Sequence, residues 1–268
     1  MKQTLKRATR LLFLTLLAGC AAGPRVDADA DLGILWVRDA AEWQALALQA
    51  YAAAAKDLPR FLADRTWSAL PGQRDAEDLP PAIIFDVDET LVSNVDFQIA
   101  LGDRPFSNAA LDEWNATHEA RPIPGAAAFV QLAIDSGVEV FFVTNRPCQA
   151  KPGVERFCPQ QDTTIHDLIE TGIPANADRV MMAAEQPDWT REKKVRRDLI
   201  AERYRVIMLF GDDLADFIPC VRGTVVPPCT DPATRALRTA TTEAHQDYWG
   251  NGWYILPNPM HGSWTSVE

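Results

Sequence analysis

The chain has 268 residues, 47% of them apolar, and carries 26 basic against 37 acidic side chains for a formal charge of −11. That apolar share is ample for a packed core. So acidic a balance argues against a nucleic-acid partner, which would require clustered Lys and Arg.

Met1 to Arg10 contains Lys2, Lys6, Arg7 and Arg10 and no acid, Leu11 to Leu17 is apolar, and Leu17-Ala18-Gly19-Cys20 follows. A basic segment, a short apolar run and small residues before a cut make a secretory signal. The run falls short of the roughly 20 residues that span a bilayer. Cleavage near Ala22 is one reading. The preferred one is lipidation, because the segment resembles a bacterial lipobox in which the new N-terminal Cys20 is acylated. Acyl chains bury methylenes in the bilayer and tether a soluble domain to it. Ala21 after that cysteine resembles an outer-membrane signal in Gram-negative bacteria, so the protein is expected in the bacterial envelope, on the membrane through its lipid alone. Loss of residues 1–19 leaves 249 residues with a formal charge of −15, enough for one α/β domain with an insertion or two small domains.

Without Cys20 four cysteines remain: Cys148, Cys158, Cys220 and Cys229. An even number in an exported chain suggests two disulfides with three possible pairings, of which the two short loops are the simplest. Zinc is the rival. It is disfavoured because no CxxC occurs and His118, His166, His245 and His261 lack metal-ligand spacing.

In chain order, Leu35 to Leu62 repeats apolar residues at helical spacing and predicts a long amphipathic helix or a helix pair. Pro71 to Pro81 reads as a loop. Ala82 to Phe85 is a short buried strand ending at Asp86. Phe97 to Pro124 is expected to contain no strand and to form an inserted helical cap. Ala126 to Ser136 predicts a helix, Val138 to Val143 a strand ending at Thr144, and Thr163 to Thr171 a helix. Val180 to Met182 is a weaker strand, Thr190 to Arg203 a helix, and Val206 to Phe210 a strand ending at Gly211-Asp212-Asp213. A tail helix over Ala233 to Tyr248 precedes Trp253 to Leu256. Apolar strands separated by helices predict a doubly wound, Rossmann-like parallel sheet covered on both faces.

The chemistry-bearing residues cluster at the strand exits, where open parallel sheets bind ligands. They read Asp86-Val87-Asp88-Glu89-Thr90, Thr144-Asn145-Arg146 and Gly211-Asp212-Asp213-Leu214-Ala215-Asp216. A single strand-end Asp usually caps a helix or opens a turn. Two acidic exits aimed at one crevice would repel each other, and a hard divalent cation held by oxygens relieves that conflict, which suits magnesium.

These segments resemble the four motifs of the haloacid-dehalogenase phosphatase superfamily: Asp86 to Thr90 the first, Thr144 the second, a lysine near position 193 the third, and Gly211 to Asp216 the fourth. The wider chain is similar to the class C acid phosphatases, including the lipoprotein-e family of 5′-nucleotidases. The matching stretches are Leu35-Trp36 through Tyr51, Asn94, Pro124-Gly125-Ala126, Phe217 and Pro257-Asn258-Pro259-Met260. The resemblance implies a lipoprotein signal over 1–19, a tether and helices over 20–81, and a phosphatase core over 82–268 with its cap at about 97–124. It also implies Asp86 as nucleophile, Asp88 as general acid and base, and Thr144 and a lysine as phosphoryl ligands. Lys193-Lys194-Val195-Arg196 fits the family spacing best with Lys193, with Lys194 the alternative. Magnesium would be held by Asp86, the carbonyl of Asp88 and Asp212, with Asp216 acting through water. Asn145 and its neighbouring amides would also bind phosphoryl oxygens, and Arg146 and Arg196 are either further phosphate ligands or salt-bridged.

The implied substrate is a small phosphomonoester, a nucleoside 5′-monophosphate or nicotinamide mononucleotide, with Phe97 and Trp114 in the cap and His261 or Trp264 in the tail as stacking candidates. The relatives also suggest a homodimer. Ser93, Asp213 and His261 depart from residues common there (Asp, Asn and Tyr). The competing reading, a non-catalytic ligand-binding lipoprotein, is countered by the intact Asp86, Asp88, Thr144 and Asp212. A phosphotransferase would use the same residues.

Overall fold

The computed structural model describes residues 32–267; the signal segment and Cys20 lie outside them. A helix pair opens the described chain, α1 (Leu32–Asp39) and α2 (Ala41–Ala63). In α2, Ala47, Tyr51, Ala54, Leu58 and Phe61 recur at spacings of four and three and form its buried stripe. Next come β1 (Pro81–Phe85), β2 (Val92–Ser93), α3 (Val95–Leu101), α4 (Asn108–Asn115) and β3 (Arg121–Pro122). Helices and strands then alternate through α5 (Ala126–Asp135), β4 (Glu139–Pro147), α6 (Pro159–Glu170), β5 (Val180–Ala183), α7 (Lys194–Ala201) and β6 (Arg205–Gly211). The chain finishes with α8 (Leu214–Phe217), α9 (Arg235–Ala244) and β7 (Trp253–Ile255).

Five strands form a parallel sheet in the order β5-β4-β1-β6-β7. Ile83, Phe85, Val140, Phe142, Ile207 and Phe210 face α2, α5 and α6. Ala82, Ile84, Phe141, Val143, Val206 and Leu209 face α7 and α8. Burial on both faces is why the strands read as unbroken apolar runs. The chain winds from β1 to β4 and β5, then returns to β6 and β7 on the other side of β1. Winding therefore reverses between β1 and β6, and their carboxyl ends border the crevice.

The inserted segment differs from expectation. Arg121–Pro122 pairs antiparallel with Val92–Ser93, so the cap is stitched to the core by a two-residue ladder. A ladder that short has no alternation for the sequence to display. Helix α6 begins at Pro159 rather than Thr163, with proline at its first turn, where a missing N–H costs nothing. Helix α7 is shorter than the predicted span because Thr190 Oγ1 accepts the amide of Glu192 at 3.1 Å, making a separate turn ahead of it.

Cysteines pair locally, Cys148 with Cys158 and Cys220 with Cys229. No thiolate remains among them for zinc. No helix among the described residues is long and apolar enough to cross a membrane. At the junction of α2 and α5, Gly125 adopts φ +91°, and a Cβ there would stand 3.1 Å from Tyr51 Cβ. Glycine thus serves both the turn and the close approach.

Candidate active site

Asp86 follows β1, is buried, and anchors its amide on Phe210 O of the adjacent β6 at 2.9 Å. Lys193, also buried, donates from Nζ to Asp86 Oδ1 and, at 2.6 Å, to Asp216 Oδ1. Burial pushes the Asp86 carboxyl up to about 7; Lys193 pulls against this, and the charges of Asp216 and Asp88 add to it. Burial would lower the Lys193 ammonium, but its two carboxylate partners outweigh that and raise it. Lys194 sits on the outside, ion-paired with Asp198.

Asp212 leaves β6 and accepts from Asn258 Nδ2 at 2.7 Å. Burial, then repulsion from Asp216 and Asp86, holds its carboxyl well above the usual range. Asp216 Oδ2 accepts the amides of Asp212 at 3.2 Å and Asp213 at 3.0 Å. One oxygen from each of Asp86, Asp212 and Asp216 lies within 4.8 Å of the others. Gly211 makes this possible, because a Cβ on it would fall 2.6 Å from Asp216 Cγ. Gly211→Ala is therefore expected to displace Asp216 from Lys193, cost about 1–3 kcal/mol of stability through overpacking, and weaken divalent-cation binding. An unchanged Tm and cation affinity would refute that account.

Asp88 is gripped from the side. Arg146 donates to it from Nη2 at 2.8 Å and from Nε at 3.1 Å to each oxygen, and Asn94 Nδ2 adds a bond of 2.7 Å. Burial raises the Asp88 carboxyl, but Arg146 and Asn94 outweigh it and the net position is below the ordinary range. Arg146 is itself buried and held from behind by Asp167 Oδ2 at 2.7 Å. Of the two outcomes open for it, Arg146 takes the salt-bridged one.

Thr144 is buried in β4, and its Oγ1 accepts the amide of Arg146 at 3.0 Å. Fully buried Arg196 shapes this turn: it donates to Thr144 O at 2.5 Å, to Asn145 Oδ1 at 3.0 Å and to Thr190 O at 3.0 Å. Burial lowers the Arg196 guanidinium to about 10. Its partners are carbonyl and amide oxygens rather than carboxylates, an arrangement neither expected reading named.

Among the other site neighbours, Glu89 was given no role of its own from sequence. Glu89 has a left-handed backbone, φ 56°, an uncommon and strained conformation for a side-chain-bearing residue. Its Oε1 accepts the Asn94 amide at 2.6 Å, and Oε2 lies 3.2 Å from His261 Nε2. Burial lowers the His261 imidazole, but Glu89 outweighs it and the net shift is upward. Asp213 caps α8 through the Ala215 amide at 2.9 Å and accepts both the amide and, at 2.6 Å, the hydroxyl of Ser263, tying the tail to the site. Ser93 lies buried in β2. Tyr51 donates from its hydroxyl to Thr90 O at 2.6 Å, so α2 braces the first acidic loop.

The aromatic candidates separate by burial. Phe97 is only 4% exposed, inside a cap cluster with Phe106 and the partly buried Trp114. Trp264 is 46% exposed and donates to His261 O at 3.1 Å. Phe106, which no sequence motif marks, is 58% exposed on the cap.

The family described as HAD superfamily, subfamily IIIB (acid phosphatase), matches residues 36–264. The chain belongs to that family. A solved class C acid phosphatase from Bacillus anthracis is 26% identical with a TM-score of 0.68, the match covering 87% of this chain and 85% of that one. A second structure of the Bacillus anthracis enzyme, with tungstate bound, gives 26% identity and a TM-score of 0.69 over the same shares. Acid phosphatases of this superfamily generally use a divalent metal. The donor set fits one: three carboxylates and no imidazole, with the Asp212 carboxyl raised first by burial and then by the like charges of Asp216 and Asp86, which a cation would neutralise.

Proposed function

We propose that this acid phosphatase hydrolyses small phosphomonoesters, nucleoside 5′-monophosphates or nicotinamide mononucleotide among them, through an aspartyl-phosphate on Asp86. The observation supporting this most directly is the convergence of Asp86, Asp212 and Lys193 at the reversal point of the sheet. The similarity to an enzyme whose structure holds tungstate, a tetrahedral oxyanion, adds support.

In this reading Asp86 attacks phosphorus in line and the ester P–O bond breaks. Lys193 and the amides of the Thr144-Asn145 turn take the equatorial oxygens. The leaving alkoxide receives its proton by way of Asp88. Because Arg146 keeps Asp88 ionised at rest, that proton arrives with the substrate, whose second phosphate pKa near 6 makes it largely a monoanion at mildly acid pH. Asp88 then takes a proton from the water that cleaves the acyl-phosphate. Asp86, the Asp88 carbonyl and Asp212 would hold a magnesium ion, which supplies charge neutralisation at the transferring group. Asp216, both of its oxygens engaged by protein donors, would act through water. Trp264, next to His261, offers a half-exposed face for a base, where stacking adds roughly 1–3 kcal/mol.

Purified protein should hydrolyse p-nitrophenyl phosphate and AMP, lose activity in EDTA, and regain it with magnesium. Undiminished turnover in EDTA would refute the metal assignment, and no turnover of any monoester would refute the whole reading. A strong preference for ring-bearing esters by kcat/KM would support stacking.

Cation affinity should depend on pH. With the Asp86 carboxyl raised to about 7 and that of Asp212 also raised, protons must leave before the cation binds, so below that pH apparent affinity should fall at least about tenfold for each unit of acidification. Calorimetric Kd values that do not change between pH 5.5 and 8 would contradict it.

Attachment through acylated Cys20 is proposed on the Leu17 to Cys20 segment, and the outer membrane as its destination on Ala21. A Cys20→Ala protein that still partitions with membranes would overturn it.

A further inference from the structure

Outside the carboxylate cluster, His118 follows α4 with a left-handed backbone, φ 57°. Its ring meets that of His166, carried on α6, with centroids 3.9 Å apart and planes tilted by 35°. His118 Nδ1 lies 2.7 Å from Asp167 Oδ1. The Asp167 side chain is fully buried, and its other oxygen is held by Arg146 at 2.7 Å. One donor atom from each of His118, His166 and Asp167 lies within 4.8 Å of the other two. The two imidazoles are 32% and 51% exposed, open to an ion arriving from solvent.

We propose that His118, His166 and Asp167 form a second cation site, separate from the Asp86–Asp212 cluster and selective for a borderline divalent ion of the zinc type. Two imidazoles and one carboxylate suit zinc, copper, nickel or cobalt, whereas magnesium requires oxygens. Metal–donor bonds near 2.0–2.2 Å place neighbouring tetrahedral donors about 3.3 Å apart. Reaching that from the observed cluster takes rotation of two partly exposed rings and a slight opening of the His118–Asp167 contact. Arg146 behind Asp167 is the hydrogen-bonding support that a ligating carboxylate requires to stay oriented. As a ligand through Nδ1, His118 carries its one ring hydrogen on Nε2, and the cation stands where a hydrogen bond joins His118 to Asp167. Glu170, whose Oε1 is 4.0 Å from His166 Nε2 one turn along α6, or water completes the shell. The bound ion would fasten the end of the cap to α6.

The test is a titration of purified protein with Co2+ and Zn2+, after chelator treatment and in saturating Mg2+. One tightly bound equivalent is expected, with a visible cobalt spectrum of nitrogen-containing low coordination. His166→Ala and His118→Ala should each weaken that binding at least tenfold. The Asp212→Asn protein should retain it. His166→Ala should keep the wild-type Mg2+-dependent turnover and circular dichroism. His166→Gln, in which the imidazole is replaced by another polar side chain, should reproduce the binding loss. Wild-type affinity in both histidine variants, or no equivalent bound beyond the magnesium site, would overturn the proposal. So would loss of the equivalent in Asp212→Asn.

Discussion

Asp86→Asn is expected to lower kcat by on the order of 10⁴- to 10⁶-fold, as removal of a covalent nucleophile does, in a protein that stays folded. An amide cannot supply the anionic oxygen that attacks phosphorus, and no second carboxylate is available in its position: Asp88 is clasped by Arg146, and Asp212 is held by Asn258. Folding should survive because the substitution removes a charge whose burial is itself unfavourable, as the raised Asp86 pKa records. Lys193 keeps Asp216 as its partner. Single-turnover kinetics with p-nitrophenyl phosphate, alongside a thermal melt, would check both halves. Near-wild-type kcat in this variant would remove the nucleophile from the mechanism.

Arg146→Met is expected to carry the largest stability cost, roughly 3–5 kcal/mol, because it takes the shared guanidinium from two buried or half-buried carboxylates and leaves Asp88 with Asn94 and Asp167 with His118. For a chain of this size that is a fall in Tm on the order of 10 °C. The sign with pH follows from Asp88, whose carboxyl Arg146 holds below the ordinary range. That stabilisation is present above the unfolded carboxyl pKa of about 3.9 and lost as pH falls through the lower folded value. The variant's deficit should accordingly be largest at neutral pH and shrink in acid. Released from Arg146, Asp88 should titrate higher, so the acid limb of the kcat profile should move up in pH. Wild-type Tm and an unshifted profile would show that the clasp has no energetic weight.

Much of the architecture was legible because it is local. A strand buried on both faces must be apolar throughout, so Ala82 to Phe85 and Val206 to Phe210 announce themselves, as do the acids that terminate them. The β2–β3 ladder was not legible, since two residues carry no period. The α6 start was missed because its first turn follows from the Cys148–Cys158 link and from Pro159 rather than from an apolar stripe. Asn258 and His261 come to the acidic loops from the tail by way of the Ser263–Asp213 contact. The family resemblance had marked Pro257 to Met260 and offered His261 as a stacking candidate, but nothing in the local pattern showed that they meet Asp212 and Glu89.

By itself, then, the chain's pattern determined a parallel α/β sheet, the exits that bear Asp86, Thr144 and Asp212, and a short list of lysines. Tertiary packing alone decided that Lys193 turns inward while Lys194 pairs with Asp198 on the surface, and that Arg146 spans Asp88 and Asp167. It also brought His118 against His166, residues that sequence spacing had kept apart. The physical reason is range: burial and period act within a turn or a strand, whereas a charged group's partner is chosen by whichever distant segments the closed core carries to the same crevice.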